Sequence, residues 1–480
     1  GDIIVGDNTD CIGLAKDINQ NLGFDLYGKE ILILGAGQVG TELSELLTND
    51  GHNITIVDTD ADRLQKASSH IDLKTVEGNA SYPKVLEQAD INNIDVAVAM
   101  MESDEVNIIA CQMIKLLNKD TKTMARIRTY EYLKGKGKQI VEGEQGIDVI
   151  ISPEELITAQ ICRLIENPGA TQIMDFANGK VSMVSVKAKE GAPITGHKVA
   201  ELRQHIPKVV TRIAAIYRED KVIAPKGDDI VETGDEVFFI TESRDIKKVI
   251  SELRMKEIAS KTIMIAGGGR IGRRLAESLE GKFDLKIIEL NKDRCIYLSE
   301  KLGSSLVLNG DSSDSALLEE ENIEKTDFFC SVTNDDEANV MSSMLAKKMG
   351  AKKSLSLVNK NAYLDLISKE QIDITINPSE ITIGSILENL SDETQLKTYS
   401  FKRKGEAVEL IATSRNGYPG VVGKQIDQIE LPKGCVIGAI FSENAIKIAH
   451  HDTKINENDH LITFIADKKN LEEVTGIICS

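Results

Sequence analysis

Residues 29–47 read KEILILGAGQVGTELSELL and residues 261–279 read KTIMIAGGGRIGRRLAESL, so Gly37 aligns with Gly269. In both, a short apolar run meets a G-x-G-x-x-G hexapeptide and continues with apolar residues at helical spacing, which predicts strand, tight turn and helix. Gly35 and Gly267 permit the turn after the strand, Gly37 and Gly269 let the backbone approach a pyrophosphate, and Gly40 and Gly272 let helix and strand pack closely. Phosphate then rests at the helix N-terminus, where unpaired amides and the macrodipole favour anions. Because backbone amides make those contacts, Ala36, Gln38 and Val39 line the first loop, and Gly268, Arg270 and Ile271 the second.

A lone hexapeptide is weak evidence, but each is followed at the end of the next strand by an acid, Asp58 or Glu289. At about 20 residues from the first glycine, such an acid accepts hydrogen bonds from ribose hydroxyls and repels a 2′-phosphate, favouring NAD(H) or an adenosine nucleotide over NADP. The alternation of apolar strands and amphipathic helices continues through AVAM (97–100) and TMARI (123–127), and predicts an α/β fold with a parallel sheet covered on both faces. The loops after the fourth strands, Met101-Glu102 and Thr333-Asn334, then fall at the carboxyl edge where open parallel sheets bind ligands. Arg126 and Arg270 can each offer a cation to phosphate, with a surface ion pair as the plainer reading of Arg126. GNAS (78–81) and GDSS (310–313) read equally as turns or as ligand-facing loops.

The repeat extends well beyond the glycines. ESDEVNIIACQM (102–113) aligns with NDDEANVMSSML (334–345), placing Asp104, Glu105 and Asn107 opposite Asp336, Glu337 and Asn339. IDVIISPEELITAQI (147–161) aligns with IDITINPSEITIGSI (372–386), and VETGDEVFFIT (231–241) with INENDHLITFI (455–465). The later motifs show the second copy shorter by about eight residues, a difference that surface loops absorb. In SPEE (152–155), Ser152 is placed to cap a helix, Pro153 fills its first position and Glu155 completes a capping box; NPSE (377–380) repeats the device. Ile157, Ile161, Leu164 and Ile165, like Ile383, Leu387 and Leu390, share one helical face, suited to core packing within a domain or to a dimerising crossover. Behind each helix lies a smaller α+β part of short strands such as VSMVSV and VFFIT, punctuated by Gly227-Asp228 and Gly234-Asp235.

Composition narrows the ligands. A chain of 480 residues exceeds one core and suggests several domains. A net charge of −19 repels phosphodiester backbones and anionic lipid, arguing against nucleic acid and direct membrane contact, and 4% aromatics with no Trp leave little for stacking bases or sugars. No apolar run reaches bilayer-spanning length. Seven scattered Cys without C-x-x-C spacing indicate neither a disulfide framework nor zinc, as expected of a reducing cytosol. The smaller part of each copy carries no constellation of His, Cys or carboxylates that suggests chemistry.

Taken in order, the duplicated nucleotide-binding unit, the acid ending its second strand, the N-D-D-E-x-N loop, the S/N-P-x-E helix and the trailing GDEVFFI module resemble the TrkA family of Trk-system potassium uptake regulators, over residues 29–480. The resemblance implies two Rossmann-like domains (29–150 and 257–375), connecting crossover helices (151–174 and 376–396) and small C-terminal subdomains (175–256 and 397–480). It also implies a non-enzymatic subunit on the cytoplasmic face of the membrane. Such a subunit forms a homo-oligomeric ring, a tetramer, beneath a TrkH-like potassium channel and responds to NAD(H), ATP or ADP. By motif, Gly35 to Gly40, Asp58, Met101, Glu102 and Arg126 would form the first site, and Gly267 to Gly272, Glu289, Thr333 and Asn334 the second. Two departures stand out: Met101-Glu102 replaces the usual Thr-Asn, and LSLVN (355–359) carries no counterpart of Arg126.

The opening GDNTDCIG (6–13) belongs to a different resemblance. Residues 1–37 are similar to shikimate dehydrogenase, whose N-T-D loop contacts substrate, which would make residues 1–28 a fused leader. That family's substrate domain and catalytic lysine are missing, so a dehydrogenase is the lesser alternative. Asn8-Thr9-Asp10 also reads simply as a helix cap.

Overall fold

The run ILIL becomes strand β1 (Glu30–Leu34), in which Ile31 to Leu34 are wholly shielded from solvent. Burial of successive residues, which point to opposite faces, requires a sheet covered on both sides. The computed structural model describes residues 28–143, 146–207, 209–219, 221–253, 261–367, 371–390, 395–401, 405–414, 420–442 and 445–479. The shikimate dehydrogenase-like leader, with Asn8-Thr9-Asp10, lies outside them. The chain divides into two compact units, residues 1–153 and 154–480.

In the first unit, β1 is joined by β2 (Asn53–Asp58), β3 (Lys74–Glu77), β4 (Val96–Ala99), β5 (Lys122–Arg126) and β6 (Val149–Ile151). Their order is β3-β2-β1-β4-β5-β6 and every pairing is parallel. This is the doubly wound arrangement, whose direction reverses between β1 and β4 and opens a crevice at the carboxyl ends of those strands. Leu32, Leu34, Ala97 and Ala99 share a core with Ile108, Cys111 and Ile114 of helix Asp104–Leu117.

Helix Pro153–Glu166 leads into the second unit. A five-stranded antiparallel sheet follows, made of β7 (Ala170–Phe176), β8 (Val181–Lys187), β9 (Thr211–Arg218), β10 (Lys221–Ile223) and β11 (Glu236–Glu242) in the order β10-β9-β11-β8-β7. Next comes a second parallel sheet: β12 (Thr262–Ala266), β13 (Asp284–Glu289), β14 (Leu306–Asn309), β15 (Phe328–Ser331), β16 (Lys353–Leu357) and β17 (Ile374–Ile376). Its order, β14-β13-β12-β15-β16-β17, repeats that of the first. After helix Pro378–Leu390, strands β18 (Gln395–Phe401), β19 (Gly405–Ile411), β20 (Cys435–Ser442), β21 (Ala445–Ile448) and β22 (His460–Ile465) retrace the first antiparallel sheet. The α/β class, with two Rossmann-like sheets each followed by a small α+β part, is the one the alternation predicts.

Packing in the second unit departs from the sequence reading at the crossover helix. Ile157, Ile161, Leu164 and Ile165 do not serve a single domain. They lie in one continuous core that also holds Ile173, Val184 and Phe239 of the antiparallel sheet and Ile263, Ile265, Leu275 and Phe328 of the second parallel one. The two antiparallel sheets share a further core, in which Met174, Phe176, Phe238 and Ile240 meet Ala407, Ala439, Ile462 and Phe464. Glu409 crosses that interface to accept the backbone N–H of Ala177 at 2.9 Å, and its other oxygen lies 2.7 Å from His460 Nδ1.

The capping devices also differ from one another. Asn377 Oδ1 accepts the N–H groups of Ser379 (2.8 Å) and Glu380 (3.3 Å), as a cap should. Ser152 does not: its buried hydroxyl makes no hydrogen bond, and Glu155 pairs with Arg274 at 3.0 Å instead of completing a box. Glu155 gains more from a buried guanidinium than from a backbone amide. Among the described residues no helix is long and apolar enough to cross a membrane.

Candidate nucleotide-binding loops

Both glycine loops are built alike. Gly35 extends the β1–β2 ladder by donating to Val57 O (2.8 Å), and Gly267 donates to Ile288 O (2.8 Å). Each then turns through φ of +109° and +103°, a region that favours glycine. A β-carbon on Gly40 would collide with the carbonyl oxygen of Gly35, and one on Gly272 with that of Gly267, so the third glycine is set by helix-to-strand contact. Gly37 and Gly269 face open space and precede helices Gln38–Asn49 and Arg270–Leu279, neither of which has a side-chain cap. Their first-turn amides are therefore left without a side-chain cap, at a pole suited to an anion.

The acids of the second strands grip these loops directly. Asp58 Oδ2 accepts the Ala36 N–H at 2.6 Å and Oδ1 that of Asp60 at 2.9 Å. Glu289 Oε2 accepts the Gly268 N–H at 2.8 Å and Oε1 that of Asn291 at 2.7 Å. Arg294 Nη1 stands 3.4 Å from Glu289 Oε2, whereas the matching Arg63 pairs with Asp60. A carboxylate has about four lone-pair positions, so each acid keeps acceptor capacity for hydroxyl groups.

The fourth-strand loops close against the glycines, as a β-carbon on Gly35 would lie 3.2 Å from Met101 N and one on Gly267 3.1 Å from Thr333 N. Asn107 and Asn339, both fully buried, hold them in place. Asn107 Oδ1 accepts from Met101 N (3.0 Å) while its amide donates to Met101 O (3.0 Å) and Arg126 O (2.9 Å). Asn339 does the same to Thr333 N (2.8 Å), Thr333 O (3.0 Å) and Leu357 O (3.1 Å). Asp104 accepts the N–H groups of Arg128 and Thr129, and Asp336 those of Asn359 and Lys360. The sequence reading aligned these four residues across the repeat without assigning them a task. Their recurrence was the available signal, and it marks the supports that hold the loops.

The structure thus gathers Gly35 to Gly40, Asp58, Met101 and Arg126 at one sheet edge, with Arg126 Nη2 donating to Met101 O at 2.9 Å. It gathers Gly267 to Gly272, Glu289 and Thr333 at the other. Glu102, Asn334 and Arg270 are exposed there, whereas Ile271 turns its side chain into the core and offers only backbone. The hydroxyl of Thr333 is committed inward to Asn339 Oδ1 at 2.6 Å, so the Met101 replacement removes an internal bond. GNAS and GDSS resolve as turns, Asn79 Oδ1 accepting from Ser81 N (2.9 Å) and Asp311 Oδ1 from Ser313 N (2.8 Å). An uncapped helix pole beside a carboxylate matches the donor and acceptor needs of a phosphorylated ribose.

Comparison with known proteins agrees with this architecture. The TrkA-N domain model matches residues 31–153 and again 263–378, and the TrkA-C domain model matches residues 183–254. The Trk system potassium uptake protein TrkA of Halomonas elongata is 47% identical over 446 residues, spanning 93% of this chain and 97% of the relative. That of Vibrio alginolyticus is 43% identical, spanning 93% and 98%. Among solved structures, the GsuK RCK domain superposes with a TM-score of 0.60 at 17% identity, covering 95% of this chain and 96% of its own. The GsuK channel bound to NAD does so at 0.59 and 17%, covering 98% and 83%. These two neighbours speak to the fold alone, whereas the domain matches and the sequence relatives place the chain in the family of Trk system potassium uptake proteins, TrkA.

Proposed function

We propose that this chain is a nucleotide-responsive regulatory subunit, which binds NAD(H), ATP or ADP at both glycine loops and biases a separate, TrkH-like potassium-conducting membrane protein. The observation that carries this reading is the pairing, twice over, of an uncapped helix N-terminus with a carboxylate that already holds the loop. The backbone amides of residues 36–39 and 268–271 would take phosphate, and Asp58 and Glu289 a ribose. Met101, Glu102 and Arg126, with Thr333 and Asn334, would border the remainder of each ligand. Asp58 and Glu289 oppose a 2′-phosphate by charge, which favours NAD(H) over NADP.

The chain's part is regulatory and not catalytic. A ligand held more tightly in one conformation than another shifts the equilibrium by the difference in binding free energy, typically about 1–3 kcal/mol, and no bond need break. A tetrameric ring on the cytoplasmic face, attached through the channel subunit, would deliver that shift to the pore. Calorimetric titration with NAD+, NADH, ADP and ATP, joined to potassium flux through the reconstituted channel subunit, tests the reading. Binding heat with nucleotide-dependent flux is expected; absence of heat with all four, or flux indifferent to them, overturns it.

A further inference from the structure

The turn Ala177–Gly179, between β7 and β8, runs through three successive positive φ values, +49° at Ala177, +53° at Asn178 and +80° at Gly179. Glycine takes that region freely, but an alanine is strained there, so contacts from outside the turn must hold it. Within its own subdomain Ser243 does part of this, its hydroxyl donating to Gly179 O at 2.6 Å. The rest comes from the second antiparallel sheet. Glu409 of β19 accepts the Ala177 N–H at 2.9 Å, and Lys180 Nζ lies 5.2 Å from the ring centre of Phe441 on β20.

The Glu409 side chain is 2% exposed, and among the described residues its partners are the Ala177 N–H and His460 Nδ1 of β22. A buried carboxylate is costly unless a cation faces it. Arg212 also crosses between the two sheets, but its guanidinium is given to the carbonyls of Ile437 and Ala449. That leaves the imidazole. The His460 side chain is 29% exposed, so its ring can take a second proton from water while Nδ1 stays on Glu409. Its cross-strand partners are the apolar Ile411 and Phe441, the Phe441 ring standing edge-on at 5.9 Å, and Asp459 beside it accepts the Asn456 N–H at 2.8 Å. The titratable and charged groups on this side are thus Glu409, Asp459 and, through Phe441, Lys180. At the matching register the first sheet carries Ser185 and Glu236, whose side chains meet at 2.7 Å, so the imidazole belongs to the second copy alone.

We infer that Glu409 and His460 form a proton-operated clasp on the Ala177–Gly179 turn, which ties the two C-terminal subdomains together more firmly when the imidazole is charged. With His460 neutral, the Nδ1–H bond remains but the buried carboxylate faces no full positive charge, and the strained turn is freer to relax away from β19. Acidification that charges the imidazole therefore stiffens the junction between the subdomains, an input separate from any nucleotide.

The test is hydrogen exchange of the full chain, read on peptides spanning 176–180 at about pH 5 and about pH 8 and corrected for the intrinsic rate. In the parent, protection there should be about three- to ten-fold greater at the lower pH. His460→Asn, whose amide can stand where Nδ1 stands but takes no proton, should keep protection at the high-pH level throughout. Glu409→Gln should likewise remove the pH response, with peptides from β12 as the reference. Equal protection at both pH values in the parent, or a response that survives His460→Asn, overturns the clasp and leaves the nucleotide reading standing.

Discussion

Gly268 and Glu289 fit one another because Gly268 has no side chain: a β-carbon there would lie 3.0 Å from Glu289 Oε2 and would collide with Leu298 Cδ1. The first copy solves the same contact with Ala36 and the shorter Asp58, whose carboxylate reaches the Ala36 N–H at 2.6 Å. Gly268→Ala should therefore cost about 1–3 kcal/mol through overpacking. Glu289→Asp in the same chain should return part of the loss. Thermal unfolding of the two single variants and the double variant reads the coupling, and strict additivity would show that the two positions do not share the space.

Asp58→Ala and Glu289→Ala should each remove a charge-assisted acceptor for ribose together with the carboxylate that holds the loop amide. A hydrogen bond to a charged group is worth about 1.5–3 kcal/mol, so affinity at the altered site should fall about 10- to 100-fold. Calorimetry with NAD+ and ADP measures it. Unchanged affinity would confine both acids to supporting their loops.

Asn107 and Asn339 each satisfy three backbone groups of two separate loops with one amide. Asn107→Ala or Asn339→Ala strands those groups in a buried setting, and should lower stability by about 2–3 kcal/mol. The midpoint of denaturant unfolding reports this. A loss confined to a few tenths would mean that neighbouring side chains take over the bonds.

Acid sensitivity should arise at Asp148 and Asp327. Burial pushes both carboxyls up, but hydrogen bonds from Lys115 and Thr123 to Asp148, and from Lys352, Thr262 and Lys261 to Asp327, outweigh it and hold both below 3.8. A depressed folded value gives stability that is complete above the ordinary carboxylate range and lost as pH falls through the folded value. Lys115→Met should flatten the acid limb of the unfolding profile below about pH 4. An acid limb identical to the parent's would remove Asp148 from the explanation.

Alkaline behaviour runs the other way at Cys111, where burial raises the thiol from 9.0 to about 12. Its folded value lies above the unfolded one, so its contribution is complete below about pH 9 and declines as pH rises toward 12. Iodoacetamide at pH 8 should leave Cys111 unmodified in the folded protein and modify it promptly in denaturant. Rapid labelling without denaturant would show that helix Asp104–Leu117 opens readily.

Much of this fold was legible because the sequence states it twice. Apolar runs such as ILIL are the mark of strands buried on both faces, and a hexapeptide that is weak alone becomes specific when the acid and the Asn107 and Asn339 motifs recur behind it. What stayed hidden were the partners of known faces. Periodicity shows that Ile157, Ile161 and Leu164 share a stripe, but not that the stripe meets β12 and the helix carrying Leu275. Likewise SPEE and NPSE carry one capping signature, yet only Asn377 caps, since Glu155 finds Arg274 more than a hundred residues away in sequence. Such long-range competition leaves no local trace.

The core shared by helix Pro153–Glu166, the first antiparallel sheet and the second parallel sheet bears on how the molecule can be divided. A cut between the repeats, near residue 254, separates two similar stretches of sequence but strips from the core of Ile157, Ile161 and Leu164 the share that Ile263, Ile265, Leu275 and Phe328 supply. The period of the duplication and the boundary of cooperative folding are therefore out of step. Half-molecules made at the repeat junction should expose apolar surface and associate, whereas residues 154–480 retain that core whole.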